Sequence, residues 1–249
     1  IQHCEIMSIT DGGIINEGEI CRKLNVKGIP NSSEYKIIER DISLIREVND
    51  AHYHVQHIST KEGVELVRNA KRENLKVTSE VCPHHFILSE ESLLKYGTNA
   101  KMNPPLRTEN DIKEIYEGLK DGAIDVICTD HAPHSEDEKK LPLEKAPFGI
   151  IGLETAVGLT NTYLIDRRVL TVEDMIYKMS INPRKILNLP EIKIQEGEKA
   201  NLTVLDLNKK WKVDVNRFHS KSKNCPYDGW ELKGKPVGII NNAQHLFYE

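Results

Sequence analysis

Apolar positions along the chain follow two rhythms, and the first two-thirds switches repeatedly between them. Residues 52–57 (His-Tyr-His-Val-Gln-His) alternate as a strand does, and 76–81 and 123–128 read as further strands, the last with a buried strand's apolar content. Between these runs apolar residues recur at helical spacing. Ile38, Ile42, Ile45 and Val48 align over 34–49; Gly63, Leu66, Val67 and Ala70 follow Ser59; Ile112, Ile115, Tyr116 and Leu119 follow Thr108. Ser59 and Glu62 have the spacing of a capping box, which satisfies free backbone donors at a helix start.

A first strand ending at His3 completes four strand–helix units in a row. Such repetition implies a parallel sheet covered by helices. The expected fold class is therefore α/β: the C-terminal half of a (β/α)8 TIM-type barrel plus part of a small β-domain. Two more helices are predicted at 153–166 and 172–187, the second started at Thr171. Short strands at 200–206, 211–213, 230–232 and 237–240 follow, punctuated by Gly, Pro and Asn. Residues 1–195 are accordingly assigned to the partial barrel and 196–249 to the β-domain. The chain opens on Ile1, without an initiator Met and inside a predicted strand, so the barrel's N-terminal strands are expected to be missing.

Composition narrows the function classes. Hydrophobic residues make up 39% and charged residues 29% of 249 positions, the balance of an ordinary globular protein. The net charge of −4, with both signs interspersed, lacks a nucleic-acid binder's basic footprint. No apolar run reaches the roughly 18 residues of a membrane span and the start is not a signal peptide, so a cytoplasmic location is expected. Cys4, Cys21, Cys82, Cys128 and Cys225 form no C-x-x-C pair and read as reduced, buried thiols.

Of ten histidines, His52, His54, His84, His85, His131, His219 and His245 read as packed or solvated, and the charges from Glu136 to Lys140 as a solvated loop. His3, His57 and Asp130 differ. Each falls at the C-terminal end of a predicted parallel strand, where a barrel gathers its catalytic groups. Two imidazoles and a carboxylate converging there are donors that a divalent metal such as zinc takes. No nucleophile elbow, P-loop or dinucleotide fingerprint competes with them.

Six strings in order carry a resemblance: Gln2-His3-Cys4-Glu5, His54-Val55-Gln56-His57-Ile58-Ser59-Thr60, Glu80-Val81-Cys82-Pro83-His84-His85, Lys101-Met102-Asn103-Pro104-Pro105-Leu106-Arg107, Thr129-Asp130-His131-Ala132-Pro133-His134 and Glu144-Lys145-Ala146-Pro147-Phe148-Gly149. Together they resemble the bacterial-type dihydroorotases of the amidohydrolase superfamily, and 200–206 resembles that family's final β-segment. The Asn-Pro-Pro-Leu-Arg and Thr-Asp-His-Ala-Pro-His strings favour dihydroorotases over hydantoinases and allantoinases.

The resemblance implies a zinc-dependent cyclic amide hydrolase of pyrimidine biosynthesis, which interconverts N-carbamoyl-L-aspartate and L-dihydroorotate. It implies that His3 and His57 hold the second of two zinc ions, and that Asp130 ligates the first and acts as general base. It further implies that Asn103 and His134 contact substrate and that the Phe148-Gly149 backbone meets the substrate carboxylate. The family's His-x-His pair, the Arg after it and the bridging acidic residue have no counterpart in the sequence. The chain alone is thus expected to hold metal weakly and to be inactive. Expected partners are the small-molecule substrate and either a second copy in a homodimer or aspartate transcarbamoylase, with no nucleic acid and no membrane. Two rival readings stand beside this one: a hydantoinase- or dihydropyrimidinase-like hydrolase, and a catalytically silent dihydroorotase-like scaffold for aspartate transcarbamoylase. Retention of His3, His57 and Asp130 weighs against the scaffold.

Overall fold

The computed structural model describes residues 1–48 and 50–248, which divide into two compact units. Asn49, where the predicted helix 34–49 ends, lies outside the described residues. The first unit comprises 1–153 and 218–226. In chain order it holds α1 (Met7–Thr10), β1 (Ile15–Asn16), α2 (Glu19–Leu24), β2 (Gly28–Ile29), α3 (Ser32–Glu47), β3 (Tyr53–Val55) and α4 (Lys61–Arg72). There follow β4 (Val77–Val81), α5 (Pro83–Ile87), α6 (Ser92–Tyr96), α7 (Glu109–Asp121), β5 (Val126–Ile127) and α8 (Glu136–Lys139).

β3, β4 and β5 form a parallel sheet in that order, and β1 pairs in parallel with β2. A parallel bridge joins Gln2 to Val55, so the segment before His3 runs alongside β3. This is the expected βα progression, with α3, α4 and α7 between successive strands. Its core is the expected helix faces packed on the strands: Ile38 and Ile42, Val67 and Ala70, Ile112, Ile115 and Leu119 are all buried, with Val55, Val81 and Ile127. Each of the buried valines, leucines and isoleucines contributes about 1.5–3 kcal/mol of burial. Val48 falls just beyond α3 and is exposed.

Three local expectations are corrected. Thr60, not Ser59, caps α4, its Oγ1 accepting from Gly63 N at 3.2 Å. Ser59 donates instead to Glu34, 25 residues upstream, and Glu62 accepts from Asn31 Nδ2 at 3.1 Å. β5 is shorter than 123–128, because the Asp125 carboxylate takes Ser79 N at 2.8 Å where a strand would offer a carbonyl. The 136–140 run is not a solvated loop throughout: Ser135 caps α8, and Lys139 is buried with Nζ donating to the Pro147 and Gly149 carbonyls, both at 3.0 Å.

The second unit comprises 154–217 and 227–249. It holds α9 (Ala156–Thr160), α10 (Val172–Ile176), α11 (Asn182–Ile186), β6 (Leu202–Lys212), β7 (Glu231–Asn241) and β8 (Gln244–Phe247). α9 and α10 each run on into a π-helical turn, and a Thr171–Asp174 capping box starts α10. The three strands are antiparallel in sequence order. The four predicted short strands merge into two long ones, since irregularities after Val204 and Asp206 interrupt the alternation without ending the ladder. β8 was not visible in the pattern; Asn242 and Ala243, both at positive φ, make the two-residue turn that leads into it. Among the described residues no helix is long and apolar enough to cross a membrane.

Candidate metal centre

Two backbone hydrogen bonds, Gln2 N to His54 O at 3.0 Å and Gln56 N to Gln2 O at 3.1 Å, set the first segment against β3. That register delivers His3 and His57 to the same end of the sheet, with ring centroids 4.7 Å apart and planes at 71°. Both His57 (φ 29°) and Asp130 (φ 44°) sit in left-handed backbone, a conformation that costs any residue with a Cβ and persists where surroundings enforce it. Ile58 N bonds to Glu80 O at 2.8 Å and so fixes the chain just past His57.

His57 is buried, and its Nδ1 has no hydrogen-bond partner among the described residues. Burial pushes its imidazole down from the ordinary histidine range; His3 adds to this and the charge of Asp130 opposes it. A neutral imidazole with an unpartnered ring nitrogen is the form in which histidine binds metal. With His3 beside it and the exposed carboxylate of Asp130 acting on it, the donor chemistry fits a divalent cation.

Asn103 enters this neighbourhood through a residue the sequence reading passed over. Its Nδ2 donates to Glu5 Oε2 at 2.9 Å, and the same oxygen lies 3.9 Å from His3 Nδ1. Thr10 Oγ1 donates to the other oxygen at 2.8 Å. Glu5 therefore stands between a candidate ligand and a candidate substrate contact.

His134, Phe148 and Gly149 form a second group. His134 Nε2 is 2.7 Å from the Phe148 carbonyl oxygen, and Gly149 N bonds to Lys101 O at 2.9 Å, two residues from Asn103. Three buried side chains brace this loop. Lys101 Nζ donates to Leu143 O and Ala146 O at 2.7 and 2.6 Å and sits 4.5 Å over the Phe148 ring. Asn224 Nδ2 donates to Ala132 O and Gly149 O at 2.9 and 3.1 Å, and Lys139 holds Pro147 and Gly149 as described. No periodic pattern marks Asn224, which acts on Gly149, 75 residues away, or Lys139, whose partners lie 8 and 10 residues on.

Among the described residues, one group of three donors brings its ligand atoms within 4.8 Å of one another, and it is Cys82, His84 and His85 rather than the expected trio. All three are buried. His85 Nε2 bonds to Pro104 O at 3.0 Å, and Cys82 Sγ lies 3.3 Å from Cys128 Sγ. Burial pushes both imidazoles far down, His85 to about 3, and the Cys82 thiol up. These side chains read as packed core, in keeping with their burial and hydrogen bonds.

Comparison with known proteins adds a second line. The chain is 50% identical over 246 residues to the dihydroorotase of Anaplasma phagocytophilum (strain HZ), covering 99% of this chain and 55% of that protein. It is 45% identical over 249 residues to the dihydroorotase of Acetivibrio thermocellus, covering 100% and 58%. The chain thus spans somewhat more than half the length of these relatives. The crystal structure of dihydropyrimidinase from Brevibacillus agri NCHU1002 superposes with a TM-score of 0.86 at 19% identity, over 99% of this chain and 56% of that one. That likeness establishes the fold, a TIM-barrel-type α/β architecture with a small antiparallel sheet. The model of the Amidohydrolase family matches residues 16–243, from β1 to the β7–β8 turn, and the chain belongs to that family.

Proposed function

We propose that the protein carrying this chain is a zinc-dependent dihydroorotase, which interconverts N-carbamoyl-L-aspartate and L-dihydroorotate. The observation that carries this reading is the 45–50% identity, along essentially the whole chain, to proteins named dihydroorotase. The paired His3 and His57 rings, with the neutral, unpartnered nitrogen of His57, support it from the structure.

In this reading His3, His57 and Asp130 hold zinc. Bound zinc supplies Lewis-acid polarisation of the amide carbonyl, an otherwise poor electrophile. Asp130 takes a proton from the attacking water and delivers it to the departing ring nitrogen, reversing these roles on cyclisation. Asp130 is exposed, which leaves it accessible for that exchange. Asn103, aligned by Glu5, and His134, aligned by the Phe148 carbonyl, orient the substrate. The braced backbone at Phe148-Gly149 meets the substrate carboxylate. The protein is placed in the cytoplasm, as a homodimer or in association with aspartate transcarbamoylase.

The test is dihydroorotate hydrolysis with added zinc, comparing this chain with a version extended upstream to the length of the relatives. Activity in the longer protein and none in the shorter is the expected result. A folded longer protein that ignores dihydroorotate but opens a cyclic amide without a ring carboxylate would make it a hydantoinase-like enzyme instead. Silence toward both would favour the scaffold.

A further inference from the structure

We propose that Glu34 is a positioning residue for the candidate metal centre: through Ser59 and Arg107 it locks the His57 turn and the Asn103 segment into one piece. The proposal rests on reading His57 as a metal ligand and Asn103 as a substrate contact.

Glu34 lies in the first turn of α3 and is 1% exposed. Four donors converge on its carboxylate. Ser59 N, Thr60 N and Thr60 Oγ1 reach Oε1 at 3.1, 2.9 and 2.7 Å, and Ser59 Oγ donates to Oε2. All four belong to the two residues that follow His57-Ile58, where α4 begins. A buried carboxylate is tolerable only when its charge is answered and its lone pairs are filled. Both conditions are met. The equally buried Arg107 donates from Nε to Ser59 Oγ at 3.1 Å, so Ser59 passes the arginine's hydrogen bonding on to Glu34. Arg107 Nη1 is held in turn by Asn16 Oδ1 at 2.9 Å and Ile29 O at 2.7 Å.

Two segments are tied by this relay. One is the His57 turn, whose left-handed backbone must be held from both sides. Gln2 and Glu80 hold it through main-chain bonds, and Glu34 anchors the two residues beyond. The other is Asn103-Pro104-Pro105-Leu106-Arg107, where two prolines of fixed φ stiffen the link between Arg107 and Asn103. A single buried carboxylate thereby governs where both side chains sit.

The experiment uses the intact protein and its E34Q variant, which keeps the shape but replaces one acceptor by an amide facing donors. Zinc affinity of the apoprotein is measured by competition with a chromophoric chelator, and folding by urea denaturation. The expected result is folded protein with zinc affinity lowered about 10- to 100-fold, the usual cost of losing a group that orients a ligand. V67A, a change in the α4 core outside the relay, controls for stability and is expected to leave zinc affinity unchanged. If E34Q does not accumulate as folded protein, S59A cuts the relay while leaving the backbone bonds, with an expected loss near 10-fold. Affinity within twofold of the parent in the folded variant overturns the positioning role and leaves the metal reading standing. A parent that takes up no zinc overturns both.

Discussion

A methyl group added at Gly149 tests how tightly the loop beneath the candidate substrate carboxylate is held. Gly149 has φ 113°, where L side chains are strained, and a Cβ there would stand 2.5 Å from the Cβ of Ala132. The loop cannot simply retreat. Gly149 N is bonded to Lys101 O at 2.9 Å, and its carbonyl accepts from Lys139 Nζ at 3.0 Å and Asn224 Nδ2 at 3.1 Å. Backbone strain costs about 1–3 kcal/mol, and overpacking against a fixed neighbour a further 1–3 or so. G149A is therefore expected to lose about 2–6 kcal/mol in urea denaturation of the intact protein, with a raised KM for dihydroorotate. The double variant A132G/G149A removes the overlap but not the strain, and should recover about 1–3 kcal/mol. A single variant within about 0.5 kcal/mol of the parent, or a double variant no more stable than the single, would mean that the loop yields to the added methyl.

Other outcomes follow from the same structure. Burial holds the Lys139 ammonium down from 10.5 to about 8, so the folded chain gives up that proton before the unfolded one does. Its contribution to stability should rise as pH climbs from about 8 to 10.5, and denaturation midpoints of K139M should lack that rise. Ile115 is fully buried in α7, and I115A is expected to cost about 3 kcal/mol by thermal or urea unfolding. Chelation of the intact protein should abolish dihydroorotate hydrolysis, and H57N should hold less zinc by elemental analysis; full zinc occupancy in H57N would remove His57 from the ligand set.

Elements whose signal lies within a dozen residues were legible from the sequence. The aligned apolar residues of α4 and α7 pack where their spacing places them, because helical periodicity and burial are one constraint. Much of what failed depended on partners that a periodic pattern does not record. Ser59 has every local mark of a cap, yet Glu34 captures it and Thr60 takes its place. Lys139 sits in a run of charges and still goes inward, because the carbonyls of Pro147 and Gly149 await its ammonium. At the candidate site, His3 and His57 were legible as strand-end residues, and the sheet register brings them together. Glu5, Glu34 and Asn224 were not, since each acts through a bond to a residue 25 or more positions away.

The left-handed backbone at Asp130 has a consequence for how this molecule can change. Asp130 is exposed, so its carboxylate contributes no packing that would offset the conformation. Glycine would rest there more comfortably. Under selection for robustness alone the position would drift to glycine, and the fold would be slightly sturdier for the exchange. Under the role proposed for Asp130, selection for turnover would pull the other way, because glycine cannot carry a proton. Thermal hardiness and chemistry thus compete at a single dihedral angle, and a library scored separately for each property should split at residue 130.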